Sequence, residues 1–460
     1  MTEPSNSGIL AEEPAPVKIF TVGTLRYTKA ALFILIFYLM WNDLVLMMML
    51  QVQGLIPIIL KNHGVDNAGI SLIGTFLAPL TIWINPFTST WSDRTRTRFG
   101  RRRPFLMLAT PPCALFLALI PWAPGMFRAA EKVSWIHSLF AGSPAVGVCI
   151  FTGAAMLGFY MFSATLLAIF SYYYWDVVPE VVLSRFYSMG QILGTLATVI
   201  WNYFLLGFAQ HHMKALFAGV ALVFAVIYLA TVWRVKEGEY PPPEPRRHTS
   251  PVARLVESVR LYFVDCYGHW KYLLIFITGM LFQMGNAANG FQIFMYHYQM
   301  HMTLGAIGHI LWIPPLIAAG AAYPIGSILD RVKPVRAVAP VMGIWALSNL
   351  AAFFFLDNKA TMLVFLTLIS LATVAFNIAI SVLTVEVYPK AKIGQFCSAA
   401  VLFYMAFGMI IGPLAGVMLD YVHNYSYSFL WPSCFEFLAA GGFYLIYRNW
   451  KNKVYETGAT

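Results

Sequence analysis

Charged residues are scarce in this sequence, 11% of 460 positions, where soluble domains carry about a quarter. With 59% of positions hydrophobic, a water-soluble fold would be left with large adhesive patches. A soluble globular class is thereby excluded. Cysteine is scarce too. The five cysteines, at positions 113, 149, 266, 397 and 434, are odd in number and never spaced CxxC. That pattern indicates neither a disulfide framework nor a zinc site, and core packing is their expected role. The chain also lacks a nucleotide-binding loop, an HExxH motif and a nucleophile–base set. No enzyme activity, metal or cofactor is expected. Acidic residues number 20 against 30 lysines and arginines, a net charge of +10. That excess does not point to nucleic acid, because the basic residues lie between apolar runs and build no folded basic surface.

What the chain has is apolar length. Twelve segments are long enough to cross a bilayer. Their approximate cores are 28–52, 68–91, 104–124, 144–171, 186–207, 213–233, 271–296, 306–329, 335–356, 361–385, 394–419 and 428–447. The spacing predicts an all-α polytopic membrane protein of twelve helices in two six-helix bundles. A tail (1–27) precedes a first bundle (28–233), a linker (234–270), a second bundle (271–447) and a tail (448–460). The linker contains "EGEYPPPEPRRHTSP", polar and proline-rich. Met1 to Lys18 holds no apolar stretch, and the first span is too long for a signal-peptide core, so it is expected to remain as a membrane helix. With both termini cytoplasmic, 25 lysines and arginines lie inside and five lie outside, namely Lys61, Arg128, Lys132, Lys214 and Lys359. This is the asymmetry of the positive-inside rule. The expected location is a plasma or bacterial inner membrane, in contact with its lipids, as a monomer.

The halves echo each other. "WDVVPEVVLSRFYS" after span four and "VEVYPKAKIGQFCS" after span ten align without gaps, pairing Asp176 with Glu386 and Ser188 with Ser398. "STWSDR" and "GSILDR" close spans two and eight, at Asp93–Arg94 and Asp330–Arg331. Parallel repeats of this kind suit alternating access around a site held between the halves.

Six arginines crowd "NPFTSTWSDRTRTRFGRRRPF", from Arg94 to Arg103. Asp93 falls at the C-terminal end of span two, where the helix dipole disfavours a carboxylate and calls for a cationic partner. Arg101, Arg102 and Arg103 fall at the N-terminal end of span three, where positive charge needs a nearby carboxylate or phosphate. A charged inner latch follows, with contact to anionic lipid as the simpler alternative. Asp176 and Glu180 bracket Pro179, four apart and on one helical face if the helix continues, with Arg185 close behind. The aromatic cluster "SYYYW", Ser171 to Trp175, is expected to mark the inner interface.

"SDRTRTRFGRRRPF" closely resembles the inner loop between helices two and three of plant-type sucrose transporters. It is also similar to that of the melibiose-type glycoside–pentoside–hexuronide cation symporters. Both belong to the major facilitator superfamily. "LQVQGLIPIIL" in span one resembles the sucrose-transporter first helix, so the specific likeness covers Gln51 to Phe105. The resemblance implies the superfamily's twelve-helix fold and a sugar or glycoside substrate moved with a proton or sodium gradient. It implies gate roles for Asp93, Arg94, Arg101 and Arg102, with Asp330 and Arg331 as counterparts. Two departures stand out. Thr81 and Asn85 occupy the places of the melibiose-type sodium aspartates, and the core of span four carries no acid where sucrose–proton carriers place one. A proton is therefore preferred to sodium as coupling ion, and its carrier must lie elsewhere.

Few acids are left for that task. Asp43 lies well inside span one, where a charge must face a cavity or a partner. It can be a proton carrier, a ligand for sugar hydroxyls or a packing acid. Glu436 in span twelve is assigned a structural role. Neutral polar residues offer a cavity lining: Gln51 in span one, Trp201 and Asn202 in span five, Asn377 in span ten. Gln283, Asn286, Asn289 and Gln292 recur every three residues along span seven. Such a stripe is unfavourable against lipid and suited to binding hydroxyls. Secondary transport of a sugar or glycoside is the leading expectation. Other small organic solutes, or a non-coupled sensor or scramblase of the same fold, are the alternatives.

Overall fold

The computed structural model of the chain describes residues 19–80, 84, 88, 92, 95–238, 264, 266–389 and 393–452. The fold is all-α, with twelve helices in two bundles. Helix α1 spans Lys29–Lys61 and α2 begins at Asn67–Leu80. Arg103–Ala130 and Pro144–Val177 form α3 and α4. Helix α5 starts at Glu180–Ile200, passes through a π turn at Trp201–Leu205 and ends at a break on His212, from which α6 continues to Arg234. Helix α7 occupies 270–299, interrupted near Ala287, and α8 covers 304–332. The last four are Pro334–Phe355 (α9), Lys359–Val387 (α10), Ile393–Val422 (α11) and Tyr427–Lys451 (α12). Prolines sit inside several of them, including Pro324, Pro340 and Pro413. Lipid tolerates this because it offers unwound backbone no alternative partner.

Large apolar side chains remain on the outside: Leu108 is 75% exposed and Phe33 71%. In water that belt would drive aggregation; against acyl chains it costs nothing. A short hairpin, β1 (Phe20–Val22) and β2 (Leu25–Tyr27), precedes α1 and lies within the stretch expected to be a tail.

One local expectation is corrected. Helix α4 runs on to Val177, so Asp176 belongs to its last turn. Pro179 then has extended backbone and caps α5, which starts at Glu180. Proline at that position removes the amide needed to continue α4, so Asp176 and Glu180 lie on two helices and share no helical face.

The core is divided unevenly. One apolar cluster combines residues of both halves, such as Leu55 and Ile59 with Leu304, Ile307 and Leu419. A second, around Tyr272, Phe276, Phe376 and Phe396, belongs to the second half alone.

Candidate functional site

The arginine loop is organised by two carboxylates. Arg102 is the N-cap of α3, and its side chain makes no cap bond, since a guanidinium carries donors only. The free amides at the start of α3 need an acceptor. Glu237, just past the end of α6, supplies it. Its carboxylate accepts from the amides of Arg101 (2.8 Å), Arg102 (3.0 Å) and Arg103 (2.8 Å). Arg103 is buried and returns the favour: Nε donates to the Val232 carbonyl (2.6 Å) and Nη2 to that of Trp233 (2.9 Å). The end of α6 and the start of α3 therefore cap each other.

Arg101 and Arg102 turn the other way, to Asp176 at the end of α4. Arg101 Nη2 donates to Oδ1 at 2.8 Å, and Arg102 Nε donates to Oδ2. The partner of these arginines is an acid expected at the gate, but the pair lies within the first half and does not cross to the second. Arg102 also lies over the Tyr172 ring, 5.0 Å from its centroid. Asp93, Arg94, Thr81 and Asn85 lie outside the described residues. Glu180 and Arg185 sit in the first turns of α5, and Asp330 in the last turn of α8, with side chains outside the description. Arg331 and Glu386 are exposed at the same end.

Asp43 is half-buried in α1 and accepts a hydrogen bond from the Tyr174 hydroxyl of α4. Its other oxygen lies 3.2 Å from where a side chain on Gly190 of α5 would begin. Tyr173 and Tyr174 are buried: the Tyr173 hydroxyl donates to the Val235 carbonyl at 2.7 Å. Within the "SYYYW" cluster these two tyrosines face protein partners, while Trp175 is 56% exposed at the end of α4. Asn42, one residue from Asp43, is fully buried near Tyr174 and Tyr228 of α6. Farther along α1, Gln51 Nε2 donates to Thr198 Oγ1 of α5 at 2.9 Å.

The second half brings the other polar candidates together. Gln283 and Asn377 line one cavity of about 270 Å³ between α7, α10 and α11, joined by Thr384 and Tyr404. From Gln283 an amide ladder climbs α7. Asn286 donates to Gln283 (3.1 Å), Asn289 to Asn286 (2.9 Å) and Gln292 to Asn289 (3.3 Å). The interruption of α7 near Ala287 keeps these side chains on one line.

Trp201 and Asn202 do not join that lining. Both are buried where α5 meets α8, and Asn202 Nδ2 donates to the Leu311 carbonyl at 3.3 Å. They belong to a seal between the halves at the end far from Arg101. There Asp420 of α11 caps α2, accepting from the amides of Asn67 (3.1 Å) and Ala68 (2.8 Å). Ser71 donates to the Gly412 carbonyl, Tyr298 to Asn62 (2.9 Å), and the Leu304 amide to Gln210 (3.2 Å). A side chain on Gly308 would run into the Asn202 carbonyl, so glycine permits this approach. Between described residues, the hydrogen bonds joining the halves gather at this end.

Glu436 is buried and accepts from Asn349 Nδ2 at 3.0 and 2.8 Å, tying α12 to α9 away from the cavity. All five cysteines are free, and no metal-binding cluster occurs among the described residues.

A twelve-helix fold of two bundles, with polar linings inside and a seal between halves at one end, defines a polytopic membrane transporter. The family described as MFS/sugar transport protein matches residues 20–394, and the chain belongs to that family. Its members transport rather than catalyse, and this protein is not an enzyme. Among curated proteins none matches the sequence. The xylose transporter XylE from E. coli is similar in fold at 16% identity and TM-score 0.56, covering 90% of this chain and 96% of that one. The nucleoside transporter NupG reaches TM-score 0.65 at 13% identity, covering 90% and 99%. The POT family transporter PepTSo reaches 0.62 at 12% identity, covering 91% and 98%. The protein is thus a secondary transporter of a small organic solute, working by alternating access.

Proposed function

We propose that the solute is a neutral polyhydroxylated one, a sugar or glycoside, and that a proton drives it. The observation carrying this reading is the Gln283–Gln292 amide ladder, which leads into a cavity whose described lining residues carry no charge. Amides both donate and accept, and so match hydroxyl groups of either role. Asp43 is the coupling acid in this reading, held at a junction of α1, α4 and α5. The arginine end is cytoplasmic, by the distribution of basic residues. The seal at the far end is then the outer gate, closed in this conformation.

A second reading has its own support. The fold is shared with a carrier named for nucleosides, and the same amides can bind a nucleoside's ribose and base. Uptake into proteoliposomes separates the two. Radiolabelled mono- and disaccharides and nucleosides are offered under imposed proton or sodium gradients. Sugar accumulation driven by an inward proton gradient is the expected result. Nucleoside uptake without sugar uptake moves the assignment to the second reading. Sugar flux indifferent to both gradients removes the symport claim.

A further inference from the structure

The last turns of α4 carry three contacts in four residues. Tyr173 donates to the Val235 carbonyl beyond α6, Tyr174 donates to Asp43, and Asp176 receives Arg101 and Arg102. Val235 is two residues from Glu237, which holds the amides that start α3. One short helical segment thus touches the acid in α1 on one side and the arginine loop on the other. We propose that Tyr174 is a positioning residue that transmits the charge state of Asp43 to the Arg101–Arg102–Asp176 pairs. The proposal rests on the reading of Asp43 as the coupling acid.

The physical step is a change of acceptor strength. A carboxylate is a far better acceptor for a phenol hydroxyl than a neutral carboxyl group is. When Asp43 takes a proton, Tyr174 loses its charged acceptor and the end of α4 loses its tie to α1. Asp176 rides on that same turn, so its grip on two arginines changes with it. The O–H bond on Asp43 is the one made and broken, as one proton moves onto the carboxylate and off again.

The surroundings make Tyr174 the natural reporter. The titratable groups facing Asp43 among the described residues are Tyr174 of α4 and Tyr228 of α6, with Cys113 of α3 beside Tyr228. Helix α5 presents Gly190 to Asp43, while the side chains of Arg185 and Tyr187 lie outside the description. Tyr228 packs at a tilt against Phe224 and Phe170 and makes no hydrogen bond to Asp43. The Tyr174 ring is fixed edge-on by Phe170 and Phe186, at 4.9 and 5.0 Å between centroids. A ring so held moves with its helix instead of swinging alone.

Tyr174→Phe keeps that packing and deletes the one oxygen, so the variant is suited to the test. The full-length protein in proteoliposomes receives a cysteine at Thr97, exposed in the arginine loop. Its reaction rate with a membrane-impermeant maleimide is followed from acidic to neutral pH, against the same protein without that cysteine. The parent is expected to show a swing of roughly tenfold, the scale set by one hydrogen bond to a charged group. Asp43→Asn is expected to flatten the swing, and Tyr174→Phe to flatten it equally. Asp176→Asn should leave Thr97→Cys fast at every pH, and it replaces Tyr174→Phe as the deciding variant if the latter is not monodisperse. A parent without a swing, or a Tyr174→Phe protein with the full swing, overturns the proposal. Gradient-driven uptake that keeps its pH profile in Asp43→Asn overturns the underlying reading instead, so the two failures are distinguishable.

Discussion

A carboxylate inside a membrane protein and an amide beside a cavity answer to different measurements. If Asp43 carries the coupling proton, Asp43→Asn abolishes accumulation against a gradient while leaving solute exchange between the two sides. Counterflow and gradient-driven uptake on the same vesicles check this, and unchanged accumulation would count against the assignment. Gln283 and Asn377 share one cavity, and each is expected to bind through one or two ordinary hydrogen bonds. Replacing either with alanine should raise KM about three- to tenfold, the worth of a neutral hydrogen bond, with kcat little changed. Both sets were legible in the sequence, because a polar residue in an apolar span is conspicuous on its own. Tyr174 was hidden among three adjacent tyrosines that composition alone assigns to the interface. Trp201 and Asn202 look like lining residues in sequence, yet they fill the seal between halves.

Elements meet here through their ends. Helix α3 starts on a residue that cannot cap it, and α6 ends with bare carbonyls; Glu237 and Arg103 satisfy both. Glu237→Ala is expected to cost about 1–3 kcal/mol and to lower the thermal midpoint in detergent. Glu237→Gln, which keeps a neutral acceptor, should lose less. Equal losses in the two variants would show that the charge is irrelevant. Sequence alone reveals the surplus of arginine at the start of α3 and the need for an anion there. It does not reveal which acid answers, because Glu237 lies 136 residues from Arg101. The break between α4 and α5 is also a matter of one atom group: Pro179 is readable as a breaker, but whether it kinks a helix or ends it depends on what α4's last turn finds to bind.

The molecule as a whole is closed at one end by Asp420 on the start of α2, by Ser71 against Gly412 and by the approach of Asn202 to Gly308. Asp420→Ala removes a cap that crosses between halves, worth about 1–2 kcal/mol. The balance between conformations should move toward the one open at that end, by roughly five- to thirtyfold. Labelling of a cysteine placed at Asn62 reads the shift, and an unaltered rate would separate the cap from gating. Gly308→Leu is expected to act in the same direction by forcing α5 from α8. The sequence by itself determined the class of this protein, the number of its spans and the division into two halves. Those properties follow from local hydropathy, since each stretch meets lipid or water on its own account. The tertiary structure alone decided the partners. Asp420 caps an amide 353 residues away, and Glu237 and Asp176 divide the arginine loop between them. Hydrogen bonds reach about 3 Å, and only the folded chain brings such distant groups within that reach.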